Sequence, residues 1–323
     1  MTFIASVVAK NGCAIIADSL VTKVHTIIEP NDFEILLKSK GLKSLDDDIK
    51  LDIKEIIGLF KTIPSYTRDY EEKLFKYDDY TAITTTGSAT INNCLIYEII
   101  NRLIDKNKID KSYHEKDTDI KVKEFCDYLK EEINNHFKTN DNLVATSFIY
   151  TNYDYKNSAT TIYRINVVES SKENFNKKNI PLVTYCKAAD YDKIVFDGQC
   201  EINMNILYGE GFTLTKLLIP LINKITEDFG IKKDCIPPDY IQKVNKEFLA
   251  DIINNKKINI YKLTELSLQE AVNLANLLMR IEVDFQKYTK NIPTVGGVIK
   301  IAVIDKNRFR FISGNKVLPP KSY

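Results

Sequence analysis

The feature that most constrains the fold is a pair of apolar runs at the start of the chain. Residues 3–16 are mostly apolar, with a central break at Asn11-Gly12. Asn-Gly flanked by such runs is the strongest short-range signal of a β-hairpin. The N-terminus is therefore predicted to form two short antiparallel strands joined by a tight turn.

The rest of the chain is organised in blocks of one element type. Apolar residues at helical spacing predict helices, and runs rich in Thr, Val and Ile predict strands. Ser267 with Glu270 has the capping-box pattern of a helix start. This order suits an α+β layered domain better than a doubly wound sheet, in which strand and helix would alternate. The predicted helices are 47–60, 89–104, 119–138, 199–228, 240–254 and 267–285, the later strands are 73–75, 80–86, 143–150, 160–168, 193–196, 298–304 and 309–312, and 170–179 is an exposed loop.

The size and composition are those of an ordinary globular protein. The chain has 323 residues, of which 44% are hydrophobic and 28% charged, and it is long enough to bury a substantial core. A formal net charge of +1 provides no bulk attraction for nucleic acid or for an anionic membrane. Neither is therefore expected as a partner.

Patterns for targeting, metal binding and cofactor binding are missing from the sequence. No apolar run is long enough to span a bilayer, and no basic region precedes the N-terminal apolar run, so a secretory signal is not expected. The six cysteines form no C-x-x-C pair, and the three histidines form no H-E-x-x-H motif. We therefore expect a cytoplasmic protein with reduced thiols and no cofactor.

Thr2 is the first candidate for chemistry. A small residue after the initiator Met normally allows that Met to be removed, which would leave Thr2 with a free α-amino group. Such an amine has a pKa near 8, so it can take the proton of the threonine's own hydroxyl. This is a recognised way of activating a weak nucleophile. By itself a Met-Thr start carries almost no information.

The residues that follow Thr2 add that information. Thr2 is followed by the predicted hairpin, by Ala17-Asp18-Ser19 and by Thr22, then by Lys73-Leu-Phe-Lys and finally by Gly87-Ser88-Ala89. In order and spacing these residues resemble the start of proteasome β-subunits and their bacterial two-ring relatives. Those proteins are N-terminal nucleophile (Ntn) hydrolases that use an N-terminal threonine.

The resemblance implies a fold and an assembly. The expected fold is a four-layer α/β/β/α sandwich of two antiparallel sheets flanked by helices, in one domain over residues 1–323. The interval between Thr22 and Lys73 is much longer than in the family, so residues 23–72 are interpreted as an insertion. Extra helices are expected at about 230–262. A homo-oligomer is implied, and an ATPase activator is suggested by kinship alone.

The resemblance also implies roles for individual residues. Asp18 would hold a buried Lys73, whose positive charge would favour deprotonation of the Thr2 hydroxyl. Gly87, at a helix start, would donate its backbone N–H to the oxyanion. Thr22 would lie on the strand edge along which the family binds peptides. The predicted walls of the substrate pocket are Val21, Thr22, Thr85 and Ala89, together with Glu71 and Phe75.

The sequence departs from the family pattern at the residues that would support the nucleophile. Leu20 stands where the family has an arginine. The family's Gly-Ser-Gly motif has two candidate counterparts, around Gln199 and around Glu210, and neither contains a serine. We rank Gln199 first as a partner of the Thr2 amine, with Glu210 as the alternative.

A second departure lies near the C-terminus. Thr294-Val295-Gly296-Gly297 resembles the family's Ser-Gly-Gly strand, but the serine position falls on Val295. The expected aspartate falls on Ile292, and the nearest polar residues are Asp284 and Asn291. Altered supporting groups bear on rate and specificity more than on the fold.

Three functional hypotheses follow from these observations. The first is a threonine-type peptidase or amidohydrolase with Thr2 as nucleophile. The second is a catalytically silent relative that serves as a structural or binding subunit, which the altered support positions favour. The third is an Ntn amidase that acts on a small-molecule amide, in which case the insertion and the C-terminal helices should close the cleft.

Overall fold

The computed structural model describes most of the chain. The described residues are 2–41, 51–68, 71–110, 113, 116–177, 181–189, 193–208, 220–221, 224–230, 263, 265–289 and 292–313. Met1, Glu210, Asn291, the predicted helix at 240–254 and nearly all of the expected extra helices at about 230–262 lie outside these residues.

Strands and helices occur in blocks along the chain. In chain order the strands are β1 (Phe3–Ala9), β2 (Gly12–Ala17), β3 (Val21–Ile28), β4 (Phe60–Arg68), β5 (Leu74–Lys76), β6 (Thr81–Gly87), β7 (Thr90–Ile91), β8 (Cys94–Leu95), β9 (Asn142–Leu143), β10 (Thr146–Asp154), β11 (Ala159–Val167), β12 (Ser170–Ser171), β13 (Val183–Lys187), β14 (Ile194–Gly198), β15 (Lys300–Asp305) and β16 (Arg308–Ser313). The helices are α1 (Pro30–Ser39), α2 (Ile53–Gly58), α3 (Ile96–Ile109), α4 (Thr118–Thr139), α5 (Lys172–Lys177), α6 (Glu201–Tyr208) and α7 (Leu268–Gln286).

The N-terminal hairpin lies at the centre of the first five-stranded antiparallel sheet, whose order is β14-β1-β2-β15-β16. Ala9 pairs with Gly12 across the turn, so the hairpin prediction is confirmed. Phe3 pairs with Gly198 of β14, and Ala17 pairs with Lys300 of β15. The ends of four strands, β14, β1, β2 and β15, therefore lie side by side at the edge of the sheet where Thr2 precedes β1.

A second five-stranded antiparallel sheet has the order β13-β11-β10-β6-β5. Apolar residues of the two sheets form one buried cluster, with Ile4 and Ile15 from the first and Leu74 and Ile149 from the second. A second apolar cluster lies between the second sheet and the helices α3 and α4. A third lies between the first sheet and α7. The protein is thus a mixed α+β fold with antiparallel sheets. Among the described residues, no helix is long and apolar enough to cross a membrane.

The segment interpreted as an insertion forms a separate two-stranded ribbon of β3 and β4. The helix predicted at 47–60 is only partly confirmed, because helical structure covers Ile53–Gly58 and Phe60 already begins β4. Asp52 caps α2 in a capping box. The break predicted at Pro64 is wrong: β4 continues through it, with a register shift opposite Lys23 and Val24, where a proline is tolerated.

Gly87 does not open a helix, contrary to the sequence-based expectation. α3 begins only at Ile96. The intervening residues form the small hairpin β7-β8, with Asn92 and Asn93 at φ values of 53° and 56°. Two successive residues with positive φ are typical of a tight hairpin turn. Helical spacing did not reveal it, because the apolar residues of so short a hairpin continue the pattern of the helix.

The other predictions of secondary structure had mixed outcomes. The helices α4 and α7 are confirmed, and Ser267 and Glu270 form the predicted capping box. The helical region predicted at 199–228 is helical at α6 and again at 220–221 and 224–228, and the residues between lie outside the described part of the chain. The loop predicted at 170–179 instead contains β12 and α5. Strands β3 and β13 were not predicted, since both are rich in charged or polar residues.

Candidate active site

Thr2 lies directly before β1 and is only 3% exposed. Its carbonyl oxygen accepts a hydrogen bond of 2.6 Å from the backbone N–H of Gln199. Gly198 has φ +86°, and a Cβ at that position would lie 1.9 Å from the Thr2 carbonyl oxygen. Only glycine permits both the left-handed conformation and this close approach. The end of β14 therefore holds the main chain of Thr2 in place.

Asp18 follows β2 and is buried, at 1% exposure. Its carboxylate accepts backbone hydrogen bonds from Phe3 and Leu20, at 3.2 Å each, and from Gly296 at 3.1 Å. These donors come from three separate segments of the chain. They fix the orientation of the carboxylate and favour its charged form.

Lys73 lies immediately before β5 and reaches the same carboxylate. Its Nζ is 3.2 Å from Asp18 Oδ1 and donates a hydrogen bond of 2.5 Å to the backbone oxygen of Leu20. The side chain of Leu20 takes no part in this interaction. Leu20 stands where the family has an arginine, but Lys73 contacts only its backbone oxygen. The change of side chain at this position therefore leaves the contact with Lys73 intact.

Burial shifts the pKa of both members of this ion pair. Loss of water raises the pKa of the Asp18 carboxyl and lowers the pKa of the Lys73 ammonium, since it disfavours each charge. The attraction between the two groups opposes both shifts. Titratable groups whose pKa is strongly shifted by burial and by a specific charged partner cluster at catalytic sites.

Thr2 and Lys73 line one cleft of about 200 Å³. Five of the six predicted pocket residues also line this cleft: Val21, Thr22, Glu71, Thr85 and Ala89. The sixth, Phe75, is instead buried in the apolar core with residues of α3. Among the described residues, the hydroxyls of Thr22 and Thr85 are buried without a hydrogen-bond partner. The complete lining is Thr2, Leu20, Val21, Thr22, Glu71, Glu72, Lys73, Thr85, Thr86, Gly87, Ser88, Ala89 and Ile96.

Gly87 lines this cleft at the end of β6. It has φ +100°, and a Cβ there would lie 2.4 Å from the backbone oxygen of Ala145. Because α3 starts at Ile96, Gly87 does not stand at the N-terminus of a helix, and that part of the expectation is wrong. Its role as an oxyanion donor stays a prediction that rests on its position in the cleft.

Gln199 lies next to Thr2, but its side chain has another partner. The side-chain oxygen of Gln199 accepts a hydrogen bond from the Thr294 hydroxyl, while its backbone N–H contacts Thr2. Gln286 of α7 in turn accepts from the backbone N–H of Thr294 at 2.7 Å. The role of Gln199 as a partner of the Thr2 amine stays a prediction.

Sequence reasoning missed Thr294, Gln286 and Ser19. The Ser19 hydroxyl accepts from the backbone N–H of Val298 at 2.7 Å. Thr294 could have been found, because it is the hydroxyl residue next to the Val295 that replaces the family's serine. Nothing in the local sequence distinguishes Gln286 from other polar residues on a helix.

The remaining C-terminal candidates lie away from the cleft. Val295 is buried in the core beneath α7, and Ile292 is partly exposed. Asp284 forms a surface ion pair with Lys287 at 2.7 Å. None of these three lines the cleft, and the aspartate of the family pattern has no counterpart among them.

One edge of β3 is already used inside the chain. Val21 and Thr22 pair with Arg68 and Thr67 of β4. A substrate strand could add only to the other edge of β3, because antiparallel pairing uses one edge for each neighbour. The insertion also contributes Glu71 and Glu72 to the lining of the cleft.

Comparison with known proteins assigns this chain to no family. No protein-family model matches the sequence, and no curated protein matches it significantly. Within the described part of the chain, no group of three His, Cys, Asp or Glu side chains is placed to hold a metal ion. A functional interpretation therefore starts from the geometry around Thr2.

Proposed function

We propose that the protein is an Ntn hydrolase of the threonine type, a peptidase or amidohydrolase in which Thr2 is the nucleophile once Met1 has been removed. One observation carries the proposal: Lys73, buried and held 3.2 Å from Asp18, lines the same cleft as Thr2. A buried cation beside a hydroxyl stabilises the alkoxide character that develops during attack.

The proposed reaction starts with the free α-amino group of Thr2. The amine takes the proton of the Thr2 hydroxyl as Oγ1 attacks the carbonyl carbon of an amide. Lys73 stabilises the negative charge on Oγ1 without donating its own proton. Asp18, already engaged by three backbone donors, holds Lys73 in position.

The tetrahedral intermediate then breaks down to an acyl-enzyme. Its oxyanion lies at the backbone N–H of Gly87, and the α-ammonium gives its proton to the leaving amine as the C–N bond breaks. The ester on Thr2 is next attacked by water, which the same amine deprotonates. Cleavage of the ester bond returns the proton to Oγ1 and releases the acid.

The proposed fold is the four-layer α/β/β/α sandwich of Ntn hydrolases. The three apolar clusters support it, because one lies between the two sheets and the others lie between a sheet and its helices. The same proposal includes two further properties. One is homo-oligomeric assembly, which the resemblance to proteasome-type hydrolases implies, and the other is a cytoplasmic location.

A small-molecule amide is the second candidate substrate. Pairing of Val21 and Thr22 with β4 leaves a peptide only one edge of β3. The cleft of about 200 Å³ is also smaller than the roughly 300–1,000 Å³ of pockets that enclose drug-sized ligands. Both observations favour a compact substrate over an extended peptide.

The test is an intact-mass measurement of the purified protein before and after incubation with an epoxyketone. This electrophile requires both a hydroxyl and a neighbouring free amine for a stable double adduct. We expect the native protein to lack Met1 and to gain one probe mass at Thr2, which peptide mapping locates. Thr2→Ala should gain none, and Thr2→Ser should retain labelling.

Two outcomes would contradict the proposal. Retention of Met1 in the functional protein would block the amine, and absence of labelling in a protein with a free Thr2 would indicate a silent structural subunit. Turnover of short N-acyl amides but not of fluorogenic peptides would select the small-amide candidate. Thr2→Ala, with the same fold, is the matched control for every turnover assay.

A further inference from the structure

A buried polar network connects α7 to the segments on both sides of the Thr2 site. Gln286, at the end of α7, is 6% exposed. Its side-chain oxygen accepts from the backbone N–H groups of Thr294 at 2.7 Å and of Val295 at 3.1 Å. Among the described residues its Nε2 has no partner. Gln286 therefore acts on this segment through its oxygen.

One branch of the network reaches the nucleophile. The Thr294 hydroxyl donates to the side-chain oxygen of Gln199. The backbone N–H of Gln199 donates to the Thr2 carbonyl oxygen at 2.6 Å. A displacement of Thr294 is thus transmitted to Thr2 through two hydrogen bonds and one residue.

The other branch reaches the buried ion pair. Val295, held by Gln286, precedes Gly296, whose N–H donates to Asp18 at 3.1 Å. The carbonyl of Gly296 accepts from the backbone N–H groups of Ser19 and Leu20, at 3.1 Å each. Leu20 supplies the carbonyl oxygen that Lys73 contacts, so this branch ends at the lysine.

We propose that Gln286 and Thr294 are positioning residues for the Thr2 nucleophile, an inference that rests on the proposed function. Neither residue lines the cleft, so they act through Gln199 and Gly296 rather than on substrate. Together they set the distance between Thr2 and Lys73 from behind the site. Thr294 is the hydroxyl residue adjacent to Val295, which stands where the family pattern has its supporting serine.

Burial of Thr294 makes the position of Thr2 sensitive to loss of this hydroxyl. Thr294 is 4% exposed, so water cannot replace its hydroxyl on Gln199 without rearrangement of the packing. A misplacement of about 1 Å at a nucleophile can reduce a rate about 10²-fold. Loss of the Thr294 hydroxyl should therefore affect the chemical step more than probe binding.

The test measures epoxyketone labelling of Thr2 in the full-length protein, separating the binding constant KI from the maximal rate kinact. We expect Thr294→Val to lower kinact about 10- to 100-fold with KI unchanged. Thr294→Ser, which keeps the hydroxyl, should restore most of the rate. Gln286→Met, which keeps length but removes the oxygen, should show the same loss and is the second variant if Thr294→Val does not fold.

Thr151→Val is the matched control. Its hydroxyl makes a buried bond of 2.8 Å with Ser6 and lies outside the cleft, so it should label at the wild-type rate. Labelling of Thr294→Val at the wild-type rate, or a Thr294→Ser variant as slow as Thr294→Val, would overturn the positioning role and leave the proposed function intact. A wild-type protein with a free but unreactive Thr2 would overturn both.

Discussion

The Lys73 ammonium lies 3.2 Å from the Asp18 carboxylate, and the two side chains are 7% and 0% exposed. The residues are 55 positions apart in the chain, and the β3-β4 ribbon is formed by the sequence between them. A pair of opposite charges so completely removed from water is costly to keep and more costly to break. Lys73 of this pair lines the same cleft as Thr2, which makes the pair the strongest physical sign of chemistry among the described residues.

Removing one partner of this pair should cost both stability and reactivity. Lys73→Met leaves the Asp18 charge buried without its cation, and we expect a loss of about 3–5 kcal/mol in the free energy of unfolding. Labelling of Thr2 should slow by about 10²–10³-fold, as expected when a preorganised electrostatic group is lost. Urea denaturation and epoxyketone kinetics measure the two effects.

A matched control for that variant exists on α4. Lys130→Met breaks an ion pair with Asp127 of 2.8 Å in which both side chains are about half exposed. Exposed pairs contribute only about 0–1 kcal/mol, so its stability and labelling rate should stay near wild type. Equal losses in the two variants would show that Lys73 has no special role.

Gly198→Ala should displace the nucleophile. The added Cβ would lie 1.9 Å from the Thr2 carbonyl oxygen, at a residue with φ +86°. We expect a destabilisation greater than the roughly 1–2 kcal/mol of a left-handed alanine, together with slower labelling of Thr2. Thermal denaturation and probe kinetics report the two effects.

Gly41→Ala separates backbone strain from the clash in this experiment. Gly41 has φ +92°, and none of the described residues places an atom within 4 Å of the added Cβ, so this variant should show the strain alone and label normally. If the two variants lost equal stability and both retained Thr2 labelling, β14 would not hold Thr2 as the structure indicates.

The ion pair between Asp305 and Arg310 should make part of the protein's folding stability sensitive to acid. Two hydrogen bonds of 2.7 Å from the Arg310 guanidinium hold the pKa of the Asp305 carboxyl below its usual range. The carboxylate therefore contributes stability that is present above the unfolded pKa of about 3.9 and is lost as pH falls through the lowered folded value. Asp305→Asn should be less stable than wild type at neutral pH.

Denaturation curves for both proteins between neutral and acidic pH provide the measurement. The difference in unfolding free energy should shrink as the pH falls below about 4, because the unfolded chain then binds a proton at Asp305 before the folded protein does. A difference that stayed constant with pH would assign the effect of the variant to packing rather than to charge.

Local sequence was sufficient for elements with regular patterns. The N-terminal hairpin, α4 and the capped start of α7 follow from Asn-Gly, helical spacing and a capping box. Prediction from local sequence failed where tertiary contacts override the local preference for helix or strand. α3 begins late because residues 90–95 pair into a small hairpin, and β3 forms despite its polar residues because β4 supplies a partner.

The identity and the order of Thr2, Asp18, Lys73 and Gly87 can be read from the chain before any fold is known. That Lys73 reaches Asp18, that Gly198 packs against Thr2 and that Gln286 contacts the segment of Thr294 became visible only in the folded protein. These contacts join segments that are distant in sequence. Their geometry depends on strand register and on the packing of α7 against the first sheet, which no local pattern specifies.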